Sequence, residues 1–475
     1  MTLVLGRVFS STHDWSFMNA LKLSAVALAL LPVLGFSQTL GNIAIPGKNQ
    51  WLFYGVEFSD ASSTEKTAES AALIAGINAQ LRDNGVSMLV SLAPIKARIF
   101  KQHLPDDKAL TPYLESNYKR LLDVLTAKGV AAADINSVFI ASTQPPDSAL
   151  YYRLDSHWSQ RGALLAAETI KKEVDNRADL KAAIAGLPPL TMKLVEQKRA
   201  RPSKARDLTQ LMSAEEGAKY ESENFIPILF QRAAGTATLT GAEEVPKIVL
   251  VGSSYSQEWT GFADSLRYHL QRDVGNYSLD ASIGQWVSFL RYLQSDAFQA
   301  TPPKLIVWEV PERDMVAPPD FKFRDARYQM NATDWTLGAT AWVQRNCQAG
   351  VGTVKGVSAS AKDAKASGLG GIKVSNAAAD ASVEFDVANA SKGADYLDAR
   401  LSSATDQVLS IEVSAGKKIK LPTLALAGDG QPHVIRIPLT SSEGVVTKAK
   451  ITLSAATASF EVAGLRVCQH KPTAL

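Results

Sequence analysis

Apolar and polar positions follow two textures along this chain, and the change between them falls near residue 346. In the first part, short β-branched apolar runs alternate with stretches of helical period. Apolar residues at 68, 71, 72, 74, 75, 77 and 81 predict a helix over 64–84, stopped by Gly85. Runs at 86–94, 138–141, 247–251, 276–280 and 304–311 predict strands, and a turn at 47–50 feeds a short apolar strand. Helices are predicted over 113–128, from the N-cap Ser159 onward, over 261–274 and over 285–298. Strands that alternate with helices imply a three-layer α/β/α domain, a mostly parallel sheet covered on both faces.

Beyond Cys347 helical periodicity fades. Alternating runs at 381–387, 408–413, 433–438 and 450–453 are separated by turn residues such as Ala427-Gly428-Asp429-Gly430. That pattern predicts a C-terminal antiparallel β-sandwich. The expected organisation is a leader over 1–37, an α/β domain over 38–345 and the sandwich over 346–475. Residues 188–244 are irregular and read as an exposed insertion. The insertion carries the basic stretch 198–206, either a solvated loop or a contact for an acidic substrate.

Composition narrows the class. The 475 residues are 46% hydrophobic and 20% charged, values of a globular protein. A net charge of +3 without a long basic cluster argues against nucleic-acid binding. Residues 21–37 are apolar after Lys22 and end in small residues, with Gly35 and Ser37 suited to the −3 and −1 positions of a cleavage site. A start at Met18 gives a cleaner leader than Met1. The run is short for a membrane span and is broken by Pro32, so a removed signal peptide and an exported, periplasmic protein are expected. The two cysteines, Cys347 and Cys468, lack zinc-ligand spacing and flank the sandwich. In an exported chain they are expected to form a disulfide.

The candidate chemistry centres on Gly252-Ser253-Ser254-Tyr255-Ser256, a serine-rich turn between a buried strand and a helix. Such a turn lifts a hydroxyl out of a sheet and sets backbone N–H groups beside it. Ser253, Ser254 and Ser256 are all open as the nucleophile on this ground. A hydroxyl needs a base. Of six histidines, His157 stands out in Asp155-Ser156-His157-Trp158, just before a helix, with His103 in reserve. In an extended segment residues 155 and 157 share a face. A carboxylate there can hold Nδ1–H and leave Nε2 to take a serine proton. The bland alternative is a helix-capping cluster.

These motifs together resemble the SGNH/GDSL-type O-acetyltransferases of bacterial exopolysaccharide machines, above all the alginate O-acetyltransferase group. The resemblance rests on Asp155-Ser156-His157-Trp158 with Gly162 and on the Gly252–Ser256 turn. It also rests on Gly47-Lys48-Asn49-Gln50-Trp51-Leu52-Phe53 and on Trp308-Glu309-Val310-Pro311-Glu312-Arg313. The Asp-His pair precedes the serine, the order of that group and the reverse of ordinary SGNH hydrolases. The resemblance implies Ser254 as nucleophile, His157 as general acid/base and Asp155 as its orienter. Ser253 stands where the wider family has the Asp of Gly-Asp-Ser. The Ser254 N–H and that of Gly284 would form the oxyanion hole, and Tyr255, Trp259 and Arg313 are candidate substrate contacts. No cofactor or metal is implied.

The implied reaction is acetyl transfer through an acetyl-serine to a hydroxyl of an exported, alginate-like polysaccharide. The implied partners are a membrane-bound O-acyltransferase that supplies acetyl groups and other exopolysaccharide secretion proteins. A carbohydrate acetylesterase with the same triad and a non-catalytic polysaccharide-binding scaffold are the alternatives. The sandwich is similar to a carbohydrate-binding module, yet it holds no tryptophan. Binding there would rest on Lys417, Lys418 and Lys420, for which a solvated charge run is the alternative reading.

Overall fold

The computed structural model describes residues 43–470 apart from 144, 234–244, 280–283, 320–329, 368–369 and 394. The expected leader lies outside the described residues. Among those residues no helix is long and apolar enough to cross a membrane.

Strands Val274–Asn276, Ile248–Val251, Leu305–Pro311, Ser87–Ala93 and Ala131–Ala132 lie side by side in that order, all parallel. Alternation divides their side chains between two faces. Val249, Val251, Ile306, Trp308 and Val310 face the helices Thr64–Asp83, Pro112–Ala127, Gln285–Gln294 and Ala332–Val343. Ile248, Leu250, Leu305 and Val307 face Gln160–Asn176, Ala178–Ala185 and Phe262–Leu270. Every residue of Ile248–Val251 is buried, which is why it reads as an unbroken apolar run.

Three expectations are corrected. Residues 138–141 are not a strand but the end of the helix Ile135–Ala141. The Asp134 carboxylate caps that helix, accepting from Ser137 N at 3.0 Å, and Ile140 points to solvent, so β-branched content misled the reading. The strand expected at 276–280 is Val274–Asn276. It ends where the Asn276 side chain accepts from Ser278 N, and Asp280 lies outside the described residues. The helix expected over 285–298 is interrupted at Ser295, whose hydroxyl accepts from Phe298 N and caps a second helix, Asp296–Ala300.

The 188–244 segment also differs from expectation. Met192–Glu196 pairs with Ile228–Arg232, and Arg201–Pro202 with Asn224–Phe225. The result is an arm that lies against the Asp155–His157 loop rather than a free insertion.

The C-terminal part is a sandwich of two antiparallel sheets. One runs Thr353–Ala359, Ser382–Ala388, Lys448–Thr452, Gln407–Ala415, Lys417–Leu426. The other runs Ala364–Ser367, Gly371–Ala377, Thr457–Gln469, Asp395–Ser403, His433–Pro438. Asp395–Ser403 escaped the alternation pattern because charged residues are buried in it. Asp398 accepts from Arg436 at 3.2 Å and from Arg466 at 3.0 Å. The change of architecture does not interrupt the core. One buried cluster runs from Trp286, Trp308 and Trp335 to Phe385, Ile437 and Phe460. Arg436 reinforces the junction by donating to Gln299 Oε1 at 2.6 Å and to the Trp342 carbonyl at 3.0 Å. Cys347 and Cys468 form the disulfide, across 121 residues of chain. A loop of that length restricts the unfolded chain by roughly 4–5 kcal/mol.

Candidate active site

The site forms at the carboxyl ends of the parallel strands, where open α/β sheets place their ligands. Ile248–Val251 ends at Gly252. A Cβ there would stand 2.6 Å from Glu309 Oε2 and 2.7 Å from Ser256 Oγ, so glycine lets the turn close onto the neighbouring strand. Ser253 caps the 3₁₀ turn Ser254–Ser256, its hydroxyl accepting from Tyr255 N. The three serines then separate by direction. The Ser253 and Ser256 hydroxyls donate to Glu309 Oε2, at 2.9 and 3.1 Å. Ser254 Oγ lies 2.7 Å from His157 Nε2. Among the described residues the Ser254 N–H has no partner, whereas those of Ser253, Tyr255 and Ser256 are engaged.

His157 sits on a tight loop closed by a bridge between Tyr151 and Trp158. Asp155 Oδ1 accepts from the His157 backbone at 3.0 Å and lies 2.7 Å from His157 Nδ1. This fixes the face that turns Nε2 toward Ser254. The expected N-cap is present, with Ser159 Oγ accepting from Arg161 N and Gly162 N. Gly162 is required by close approach, since a Cβ would lie 2.2 Å from the Leu150 carbonyl. Trp158 Nε1 donates to the Tyr255 carbonyl at 2.9 Å and ties the histidine loop to the serine turn.

Charged residues buried behind these groups hold the motifs together. Lys96 is fully buried and donates to the carbonyls of Leu52, Arg153 and Asp155 at 2.6–2.9 Å, so it joins the 47–53 motif to the histidine loop. Burial lowers its ammonium to about 8, against the pull of Glu57 and other carboxylates. Glu312 binds Arg98 through both oxygens and accepts from Asn117 and Ile95 N. The motif 308–313 thus reads as three separate clamps, Glu309 on the serine turn, Glu312 on Arg98 and Arg313 on Tyr255.

The arm supplies a second carboxylate. Asp207 N donates to Asp155 Oδ2 at 2.9 Å, and the Asp207 carboxylate accepts from Ser156 N and Oγ, both at 2.7 Å. Its Oδ2 stands 3.5 Å from His157 Nδ1. Burial raises Asp155, but hydrogen bonds from the His157 ring and from the Asp207 and His157 backbones bring it below the usual carboxyl range. Burial and the Asp155 charge raise Asp207. Asp155, His157 and Asp207 place three ligand atoms within 4.8 Å of one another, a spacing that could hold a metal ion. The hydrogen bonds above already account for those atoms.

The remaining candidates divide by exposure. Tyr255 is 1% exposed, and its hydroxyl donates to the Ser156 carbonyl. Arg313 is 8% exposed, donates to the Tyr255 hydroxyl at 3.2 Å and lies over the Tyr54 and Tyr255 rings. Both are buried, held by these contacts to the histidine loop and to each other. Trp259 is 42% exposed and meets His157 edge to face at 5.3 Å. Gly284 caps Gln285–Gln294 with φ 78°, and the residues just before it lie outside the described ones. The reserve histidine, His103, instead stacks on Trp51 at 4.9 Å.

Sequence reading missed Lys96, Asp207 and Glu309. A lysine just after a strand and a glutamate inside an otherwise apolar strand were the available signals for the first and last. Asp207 had none, because its partner is 52 positions away.

A parallel-sheet domain with a serine, a histidine and an aspartate meeting at its strand ends defines a protein of the SGNH acyl-transfer class. Residues 44–312 match the family profile described as "SGNH hydrolase-like domain, acetyltransferase AlgX", and the chain belongs to that family of acetyltransferases. A curated relative, the "Probable alginate O-acetylase AlgJ" of Pseudomonas syringae pv. tomato, is 28% identical over 293 residues, 59% of this chain and 71% of that one. The solved O-acetyltransferase domain of Pseudomonas putida AlgJ is 24% identical and covers 63% of this chain and 98% of its own, with a TM-score of 0.52. Pseudomonas aeruginosa AlgX is 15% identical, with a TM-score of 0.60, and covers 90% of this chain and 94% of its own. That coverage takes in the sandwich as part of the shared fold.

Proposed function

We propose that this protein O-acetylates an exported, alginate-like exopolysaccharide through an acetyl-Ser254 intermediate. The carrying observation is the pair of 2.7 Å contacts, Asp155 to His157 Nδ1 and His157 Nε2 to Ser254 Oγ. Ser254 Oγ attacks the acetyl carbonyl of the donor as its proton passes to His157 Nε2. The Ser254 N–H, with that of Gly284, donates to the oxyanion. The donor leaves with the proton from His157. A sugar hydroxyl then gives its proton to His157 and attacks the acetyl-serine, and Ser254 recovers the proton as the ester leaves on the sugar.

Trp259, exposed beside His157, is proposed to stack on the acceptor sugar. The basic stretch 198–206 leads directly into Asp207 and suits an anionic polymer. The sandwich lends weaker support to sugar binding. Its aromatic residues Phe385, Tyr396 and Phe460 are all interior, and Lys417 and Lys418 are paired with Glu443 and Glu412. The proposed setting is the periplasm, reached through a signal peptide over residues 1–37. There a membrane-bound O-acyltransferase would supply acetyl groups, alongside other polysaccharide-secretion proteins. The proposed domains are 38–345 for chemistry and 346–475 for the sandwich.

The test incubates the protein with a chromogenic acetyl ester and a deacetylated uronate polymer. New acetyl esters on the polymer, formed in step with chromophore release, are expected. Release of acetate alone at every polymer concentration would make the protein an esterase.

A further inference from the structure

The serine turn rests on a carboxylate that the reaction above does not use. Glu309 is 0% exposed, in the middle of the strand Leu305–Pro311. Its Oε2 accepts from Ser253 N at 2.8 Å, Ser253 Oγ at 2.9 Å and Ser256 Oγ at 3.1 Å. These donors flank Ser254 on both sides. With both neighbours pinned, the Ser254 hydroxyl is left facing His157, and its N–H has no acceptor among the described residues. Gly252 makes the approach possible, because a Cβ there would collide with both Glu309 and Ser256. Among the described residues the other carboxylate oxygen, Oε1, has no hydrogen-bond partner, and neither does Ser91 Oγ, its register neighbour on the adjacent strand.

We propose that Glu309 is the positioning residue of the nucleophile turn, the adjacent strand supplying a carboxylate that the Gly252-Ser253-Ser254 sequence itself lacks. The inference rests on the assignment of Ser254 as nucleophile. Glu309 acts through the shape of the turn. Its three hydrogen bonds to Ser253 and Ser256 preset the direction of Ser254 Oγ and the oxyanion donor before substrate arrives.

The ionised carboxylate accepts more strongly than the neutral acid. The strands on either side, Ser87–Ala93 and Ile248–Val251, carry no charged side chain. Among the described residues Asp314, in the turn that follows its strand, is the titratable group that acts on Glu309; Tyr255, which burial keeps neutral, adds no charge. Burial raises Glu309 to about 7, against the three donors, with Asp314 adding to the rise. A raised carboxyl favours the folded state while protonated, and that contribution is lost as pH rises through about 7. Glu309 therefore trades stability for positioning on the alkaline side. The glutamine variant cannot make that trade.

The experiment compares Glu309→Gln, Glu309→Ala and Ser254→Ala with wild type. It reads the rate of acetyl-enzyme formation from an aryl acetate, its KM and the melting temperature across neutral pH. Glu309→Ala should acylate about a hundredfold more slowly with little change in KM, the cost of a misdirected nucleophile. Glu309→Gln should match wild type on the acid side, fall about tenfold behind on the alkaline side and yet melt higher there. Wild-type acylation by Glu309→Ala would overturn the proposal. So would a Glu309→Gln profile that keeps every wild-type ionisation, a result that decides the matter even if the alanine variant fails to fold. An active Ser254→Ala would instead sink the nucleophile assignment. An inactive Ser254→Ala beside a fully active Glu309→Ala would sink this inference alone.

Discussion

Replacing His157 with alanine should slow acetyl-enzyme formation by about ten-thousandfold while the protein stays folded. The imidazole is the sole base within reach of Ser254 Oγ among the described residues, at 2.7 Å, and without it the hydroxyl must attack as a neutral alcohol. The fold should survive because Asp155 does not lose all its partners. Its carboxylate still accepts from the His157 backbone and from Asp207 N. His157 is 7% exposed and its neighbour Trp259 is 42% exposed, so imidazole entering past Trp259 should restore part of the rate. Stopped-flow measurement of chromophore release checks both. Loss of rate without rescue, together with a large fall in melting temperature, would mean that the residue is structural.

Asp155→Asn should come close to the same loss, again about ten-thousandfold, from a far smaller change of shape. Asp155 Oδ1 accepts from both the His157 backbone and Nδ1, and Oδ2 accepts from Asp207 N. Asparagine can satisfy only one oxygen's worth of these donors. If its amide nitrogen faces the imidazole, Nδ1 becomes an acceptor and the proton moves to Nε2. That tautomer presents a donor to Ser254 and cannot take its proton. The carboxylate charge that steadies the imidazolium is lost as well. The nearby Asp207 carboxylate, 3.5 Å from Nδ1, offers partial compensation, so the double variant with Asp207→Asn should be slower still. Pre-steady-state acylation of the single and double variants measures this. A single variant within tenfold of wild type would show that Asp155 serves the loop and not the base.

The parts of the site legible in the sequence are those that local chemistry writes locally. Asp155 and His157 sit two residues apart, and Ser159 caps the next helix two residues after His157. Ser254 follows four consecutive buried apolar residues, a glycine and Ser253. What joins the two motifs was not legible, because every joining contact spans a long stretch of chain. Trp158 reaches Tyr255 across 97 positions, and Glu309 reaches Ser253 across 56. The turn's own residues left three serines open, and only the family resemblance singled out Ser254; in the structure Glu309 draws the other two hydroxyls away from the histidine. In the fold, long apolar runs were read well. The Ile135–Ala141 helix was not, since its β-branched residues suggested a strand and a single capping aspartate decided otherwise. Asp395–Ser403 was missed because Asp398 is buried among arginines supplied by other strands.

The central claim is that acetyl groups pass through Ser254. Its most direct measurement is to quench the wild-type protein during turnover of an acetyl ester, with no acceptor polymer present, and locate the adduct by peptide mass spectrometry. The account predicts one added acetyl group on the peptide bearing Gly252–Ser256, assigned to Ser254 by fragmentation and discharged when polymer is added. An acetyl group on Ser253 or Ser256, or transfer to polymer with no adduct detectable at any time, would contradict it.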